Sequence, residues 1–309
     1  MSKDLPYYLA FNFFGKIDPS RFKVLLDYFG SAKRLWEATR AELKSTGLSG
    51  RLINDFLEFQ SIFDPQKVNF TKENWNIPYD NFSWYKEIKD YQKCLAGKIT
   101  ILTWQDKHYP KVLKNIINPP PVLYVKGKLP SSKKALAVIG SRSASVYGRQ
   151  NTQKFVQDLV KNKITIISGL ARGIDAIAHQ TALDNNGQTI AVLGSGINVA
   201  YPYQNKNIYL KIINGGGAVI SEFPPFYPPY APNFIQRNRI ISGLSKAVLV
   251  VEAGKRSGSL VTARLAGEQG REVMAIPGPI NSPLSAGTSY LLSQGAKLVT
   301  KVEDILEEL

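Results

Sequence analysis

The sequence predicts an α/β protein, with a Rossmann-like, doubly wound and mostly parallel sheet preceded by a small all-helical domain. Two observations carry the sheet. From Ile99 the chain repeats short β-branched runs, ITILT, VLYVKG, ALAVIG, ITIIS, TIAVLG, AVIS, AVLVVEA, EVMAI and KLVT, separated by glycine-rich turns and amphipathic segments. Strands that alternate with helices form a sheet of mostly parallel neighbours. Runs such as LAVIG and AVLVV are apolar throughout, which fits strands covered on both faces; a half-exposed antiparallel sheet would alternate apolar and polar positions. The helical domain rests on a third observation, the helical spacing of apolar residues across positions 1 to 65.

That N-terminal spacing is clearest in RFKVLLDYFGSAKRLWEATRAEL and GRLINDFLEF, with turn residues expected at Gly30, Gly47 and Gly50. Short helices joined by FGS and TGLSG turns are laid out as in helix-hairpin-helix and sterile-alpha-motif-like modules, which can offer turn amides to a phosphate. Residues 66–97 mix aromatic, Lys and Asn positions without a clear period and read as a linker, with a candidate helix across WYKEIKDYQKC. The sheet domain then occupies residues 98–309.

At 309 residues and 44% hydrophobic content, the chain is long enough for two cores. No window reaches the roughly 18 apolar residues of a membrane span, and MSKDLPYY has no basic-then-apolar signal pattern, so a cytoplasmic protein without a membrane partner is expected. Cys94 is the single cysteine, and His108 and His179 are the only histidines. An internal disulfide and a thiolate cluster are thereby excluded, a zinc site is nearly unbuildable, and Cys94 is read as inert.

The formal net charge is +15 and the pI about 9.7. Such a surface concentrates polyanions, because Lys and Arg displace counterions from phosphate backbones. Between Arg142 and Arg264 there are 14 Lys/Arg against 5 Asp/Glu, an excess of 9. That excess coincides with the loops that should carry chemistry.

Ligands of doubly wound sheets bind outside the carboxyl ends of the strands. The loops there read GSRSASVYG, SGLARGIDAIAH, GSGINVAYP, SEFPPFYPP, EAGKRSGSL and PGPINSPLSAGT. Small residues let backbone amides approach an anion, and Arg142, Arg172 and Arg256 add bidentate phosphate donors. A dinucleotide fingerprint is missing, since GSRSASVYG lacks the second glycine and GSGINV has Val199 in place of the third. A P-loop fails too, with Arg256 after Lys255 where Ser or Thr belongs. No cofactor is therefore expected. Asp175, His179, Glu222 and Glu252 are the candidates for acid-base chemistry, and each has a structural reading: Asp175 and His179 as a pair fixing one helix face, the glutamates as partners of loop amides or arginines.

In APNFIQRNRIISGLS, Phe234 stands three positions before Arg237 and five before Arg239 at the expected start of a helix. An aromatic ring beside guanidinium groups can stack an unpaired base while neutralising phosphate. The alternative is a core role for Phe234, which Ile235, Ile240 and Ile241 already fill. The preceding PPFYPPY run is read as a rigid, exposed lead-in.

Taken in order, GSRSASVYG, SGLARGIDAIAHQTAL, GSGINVAYP, SEFPP, NFIQRNRIISGLS, EAGKRSGSLVTARLA and PGPINSPLSAGTSYLLSQGA resemble the DNA-processing protein A (DprA/Smf) family over residues 98–300. TWQDKHYPKVLKNIINPPPVLYVKG is similar to its lead-in, and the helical N-terminus to its sterile-alpha-motif-like domain. The resemblance implies a protein of natural transformation and competence that binds and protects incoming single-stranded DNA, forms a homodimer through the Rossmann-like domain and helps load the RecA recombinase. It implies no catalytic reaction. Carried over by motif, the DNA-binding residues are Ser141 and Arg142, Phe234 with Arg237, Asn238 and Arg239, and Ser257, Gly258 and Ser259, with Arg172, Lys206 and Arg256 as further phosphate contacts. Some members have a lysine before the stacking aromatic where this chain has Ala231, a role open to Arg237 or Lys206. Many members continue into a winged-helix domain; the sequence here ends at VEDILEEL, and that domain's contribution is expected to be missing. Two other readings stay open. One is a nucleotide phosphoribohydrolase resembling the Lonely Guy proteins, whose PGGxGTxxE signature is missing here; the other is a basic scaffold for protein partners.

Overall fold

The computed structural model describes residues 4–67, 99–130 and 134–309. Cys94, the WYKEIKDYQKC segment and nearly all of the expected linker lie outside these. The chain forms two compact units.

Among the described residues, the first unit contains five α-helices, α1 (Leu5–Phe14), α2 (Pro19–Phe29), α3 (Ala32–Trp36), α4 (Arg40–Ser45) and α5 (Gly50–Ile62), together with Ile101–Tyr109 and Ile117–Leu123. Polar side chains start α2 to α5: Asp18, Ser31, Thr39 and Ser49 each accept a backbone amide of the first turn, and Thr39 with Glu42 closes a capping box. The core is aromatic, with Phe11 stacked on Phe56 (5.3 Å, 10°) and set edge-on to Trp36 at 5.7 Å. Gly30 and Gly47 take positive φ in the turns, whereas Gly50 opens α5 behind the Ser49 cap.

All nine runs read from the sequence form strands: β1 (Thr100–Thr103), β2 (Val122–Gly127), β3 (Ala135–Ile139), β4 (Thr165–Ser168), β5 (Thr189–Val192), β6 (Gly217–Ser221), β7 (Ala247–Val250), β8 (Glu272–Ala275) and β9 (Lys297–Leu298). Their order in the sheet is β1-β2-β6-β5-β4-β3-β7-β8-β9. From β6 to β9 every pair is parallel, and β2 runs antiparallel to β6 with Tyr124 opposite Ser221. Helices α6 (Lys111–Lys114), α7 (Val146–Lys161), α8 (Ile174–Asp184), α9 (Lys206–Lys211), α10 (Ala231–Leu244), α11 (Gly258–Glu268), α12 (Ala286–Ser293) and α13 (Glu303–Leu306) lie between and after the strands.

β3 to β7 are buried at every position, the cause of their largely apolar, charge-free character. One face packs Leu136, Val138, Ile166 and Leu249 against Phe155 and Leu159 of α7. From central β3 the chain winds outward through β4, β5 and β6, then returns to place β7 on the other side of β3. The loops after β3 and β7 therefore diverge from a switch point, where doubly wound sheets open a binding crevice. No helix among the described residues is long and apolar enough to cross a membrane.

Candidate nucleic-acid interface

The loop after β3 is tied to the loops on both sides. A Cβ on Gly140 would lie 2.8 Å from the Glu252 carbonyl oxygen, so only glycine passes there. Ser141 N donates to Glu252 O (2.8 Å), and Ile174 N donates to Ser141 O (3.1 Å). Gly173, at φ +75°, lies so close that a Cβ would fall 2.2 Å from Ser141 O. The Ser141 hydroxyl is turned inward and accepts from Ser143 N (3.1 Å). This stitching leaves the Arg142 side chain exposed.

Arg142 reaches Phe234. Its Cζ lies 6.0 Å from the ring centroid, within cation–π range. Pro232 sets the first turn of α10, which carries Phe234, and Gly194 after β5 makes room for the ring: a Cβ there would meet Phe234 Cδ1 at 2.6 Å. Tyr201 packs against the same ring at 5.4 Å, tilted by 39°. Phe234 is half-buried, with Ile240 and Ile241 in the core beneath it. Ile235, expected in that core, is 57% exposed.

Arg237 and Arg239 correct the sequence reading, because both are interior. Arg237 donates to the carbonyls of Gly169 (2.7 Å) and Val192, bracing the carboxyl ends of β4 and β5. Burial lowers its pKa to about 10 against the pull of Asp175, with Arg142 pushing the same way as burial, and it stays charged at neutral pH. Arg239 forms a bidentate pair with Glu222 (2.5 and 2.6 Å), the two side chains 8% and 7% exposed. Their guanidiniums thus face protein acceptors rather than the open crevice where a phosphate contact was expected. Asn238 is also buried, its Nδ2 3.4 Å from Gly258 O.

The remaining expected residues sit on the same carboxyl edge. Arg172 and Arg256 are exposed, and Lys206 is half-buried beside the Tyr203 ring at 5.8 Å. Ser257 caps α11, accepting from Ser259 N (3.4 Å) and sharing a hydrogen bond with Ser259 Oγ (2.7 Å); Gly258 is exposed between them.

Each of the four candidate acid-base groups is bonded to protein partners. Glu252 accepts from Ser145 N (3.0 Å) and from the Ser145 hydroxyl at the N-terminus of α7, and a Cβ on Gly148 would fall 2.0 Å from its Oε2. An anion of the protein's own thus fills the helix N-terminus that dinucleotide-binding sheets offer to pyrophosphate. Glu222 holds Arg239. Asp175 and His179 bond elsewhere: Asp175 accepts from Gly169 N (3.1 Å) and Ala171 N (3.4 Å), and His179 Nδ1 meets Thr189 Oγ1 at 2.6 Å. Burial pushes the Asp175 carboxyl up, against Arg237, the Ala171 and Gly169 amides and the Ser168 hydroxyl. Burial and then Arg237 push His179 down to about 3, the Ser168 backbone opposing.

The proline-aromatic lead-in also differs from expectation. Phe223, Pro224, Pro225 and Phe226 are buried, because Asn198 N donates to Pro225 O (2.8 Å) and Gly196 N to Tyr227 O (2.7 Å), locking the run onto the GSGIN loop. Tyr201, Tyr203 and Asn205 were not singled out from the sequence. Asn205 Nδ2 donates to Leu170 O (2.8 Å) and Ala171 O (3.1 Å), holding the YPYQN turn against the GLARG loop. Two tyrosines flanking a turn proline on this edge were the available signal.

With the site in place, similarity to known proteins decides the family. The profile of the family described as DNA recombination-mediator protein A matches residues 100–309. The chain belongs to this family. Within it, Protein Smf of Escherichia coli is 53% identical over 202 residues, covering 65% of this chain and 54% of that protein's length. DNA processing protein DprA of Streptococcus pneumoniae is 46% identical over 221 residues, 71% of this chain and 76% of the relative. The X-ray structure of DNA processing protein A from S. pneumoniae superposes with a TM-score of 0.77 at 32% identity, over 98% of each chain. A structure of the Helicobacter pylori family protein, described for its single-stranded DNA binding mode, gives a TM-score of 0.61 at 28% identity, over 69% of this chain and 96% of that one.

Proposed function

We propose that this chain binds single-stranded DNA in the crevice at the carboxyl edge of its sheet and acts in DNA processing for transformation and recombination, holding the strand rather than turning over a small substrate. The observation that carries this reading is the half-buried Phe234 ring beneath the exposed Arg142 guanidinium, on an edge that also shows Arg172 and Arg256. A ring stacks any unpaired base, and the cations neutralise phosphate without reading base edges, so binding is strand-specific and sequence-tolerant. Ser141, Asn238, Ser259 and the two interior arginines shape this site from within. The same reading includes a cytoplasmic homodimer, joined through the sheet domain, that passes its strand to RecA.

Fluorescence anisotropy with labelled oligothymidine, single-stranded and duplex, at two salt concentrations tests it. Arg142→Ala is expected to weaken single-strand binding about tenfold and to lower the log-log salt slope by about 0.7. Phe234→Ala is expected to weaken it at least as much while leaving the salt slope unchanged, because stacking releases no counterion. Equal affinity for duplex, or no binding at low salt, would overturn the reading. Sedimentation as a monomer at tens of micromolar (~10⁻⁵ M) would remove the dimer.

A further inference from the structure

We propose that Tyr201 and Tyr203 form a second stacking subsite, which takes the bases next to the one held on Phe234 and so extends the single-strand path along the YPYQN turn. This rests on the reading above, that Phe234 and Arg142 hold single-stranded DNA.

Exposure separates these rings from core tyrosines. Tyr209, in the same stretch, is fully buried and its hydroxyl donates to Ile197 O (2.8 Å). Residues 190–200 are all buried, yet Tyr201 emerges 47% exposed and Tyr203 63% exposed. What distinguishes them from other exposed tyrosines is their place beside the crevice, where an open aromatic face is available to stack a base. The two rings are also continuous with the first subsite, since Tyr201 touches Phe234 at 5.4 Å.

The turn is fixed before any ligand arrives. Asn205 anchors it through two side-chain hydrogen bonds to the GLARG loop, and its own amide donates to Pro202 O (3.0 Å). A platform ordered in advance loses little conformational freedom on binding. Lys206 Nζ, 5.8 Å from the Tyr203 ring, supplies the cation for the phosphate that follows. Arg142 beside Phe234 and Lys206 beside Tyr203 thus repeat one arrangement, an aromatic face with a cation next to it. The 39° tilt between Tyr201 and Phe234 makes the strand turn as it passes from one subsite to the next.

Oligothymidines of roughly four and roughly sixteen nucleotides, bracketing the site sizes of single-strand binding folds, separate the subsites. Tyr203→Ala is expected to lower affinity for the longer strand about fivefold and to leave the shorter one unchanged. Tyr203→Phe should retain both affinities, because the face stacks and the hydroxyl is not needed. Tyr203→Trp should show additional fluorescence quenching with the longer strand only. Tyr203 is exposed, so the variants are expected to fold, and circular dichroism checks this. If Phe234→Ala loses binding while Tyr203→Ala leaves both lengths unaffected, the second subsite is overturned and the first stands. If Phe234→Ala binds as wild type, the underlying DNA reading fails with it.

Discussion

Glu222→Leu is expected to cost about 3–5 kcal/mol of stability, read as a fall in the urea midpoint at neutral pH. Glu222 and Arg239 form a bidentate pair with side chains 7% and 8% exposed, linking the strand end after β6 to the helix that carries Phe234. Removing the carboxylate leaves the Arg239 charge in the interior without its counter-ion. Truncating one member of a buried pair costs far more than the pair itself contributes, since the remaining ion keeps its desolvation penalty. The double replacement Glu222→Leu with Arg239→Met should therefore recover most of the loss and keep single-strand affinity, because Arg239 faces Glu222 and not the crevice. If Arg239→Met alone lowered DNA affinity without lowering stability, the guanidinium would have to reach the ligand, and its structural assignment would fail.

This contrast shows where the sequence was legible and where it was not. The central strands β3 to β7 announce themselves because burial on both faces imposes largely apolar runs, and the glycines after them mark loops that pass close to neighbouring backbone, as at Gly140 and Gly173. Arg142 follows the same logic, a cation on a loop that cannot bury it. In the RNR segment the charge is visible and its direction is not. Arg237 lies three positions after Phe234 and one turn before Ile240 and Ile241, on the stripe of α10 that packs into the sheet. Helical spacing thus marks it as inward-facing, and the reading from charge alone missed this. No such spacing marks Arg239, whose burial depends on Glu222, distant in sequence and adjacent only once β6 is in place. PPFYPPY misleads for a related reason. Proline-rich runs are exposed when nothing takes their carbonyls, and here Gly196 and Asn198 do so.

Acid should find the protein's weak point at His179. Its ring is fully buried beside Thr189 Oγ1, and burial together with the Arg237 charge holds its pKa at about 3, against an ordinary value of 6.5. Below pH 6.5 the unfolded chain takes up a proton that the folded protein refuses until about pH 3. The unfolded state then binds more protons, so stability falls with falling pH by about 1.4 kcal/mol per unit across that window, and is fully present only above pH 6.5. Asp175 acts with the opposite sign: its raised pKa lets the folded state take a proton first, adding stability as pH falls. The total slope of the wild type therefore mixes both groups, and the useful quantity is its difference from His179→Gln, in which Asp175 remains. Between pH 6.5 and 5 the stability gap between the two proteins is expected to shift by about 2 kcal/mol in the variant's favour, measured by urea denaturation at each pH. A constant gap would mean that His179 takes its proton in the folded state, which the packing around Thr189 and Arg237 does not permit.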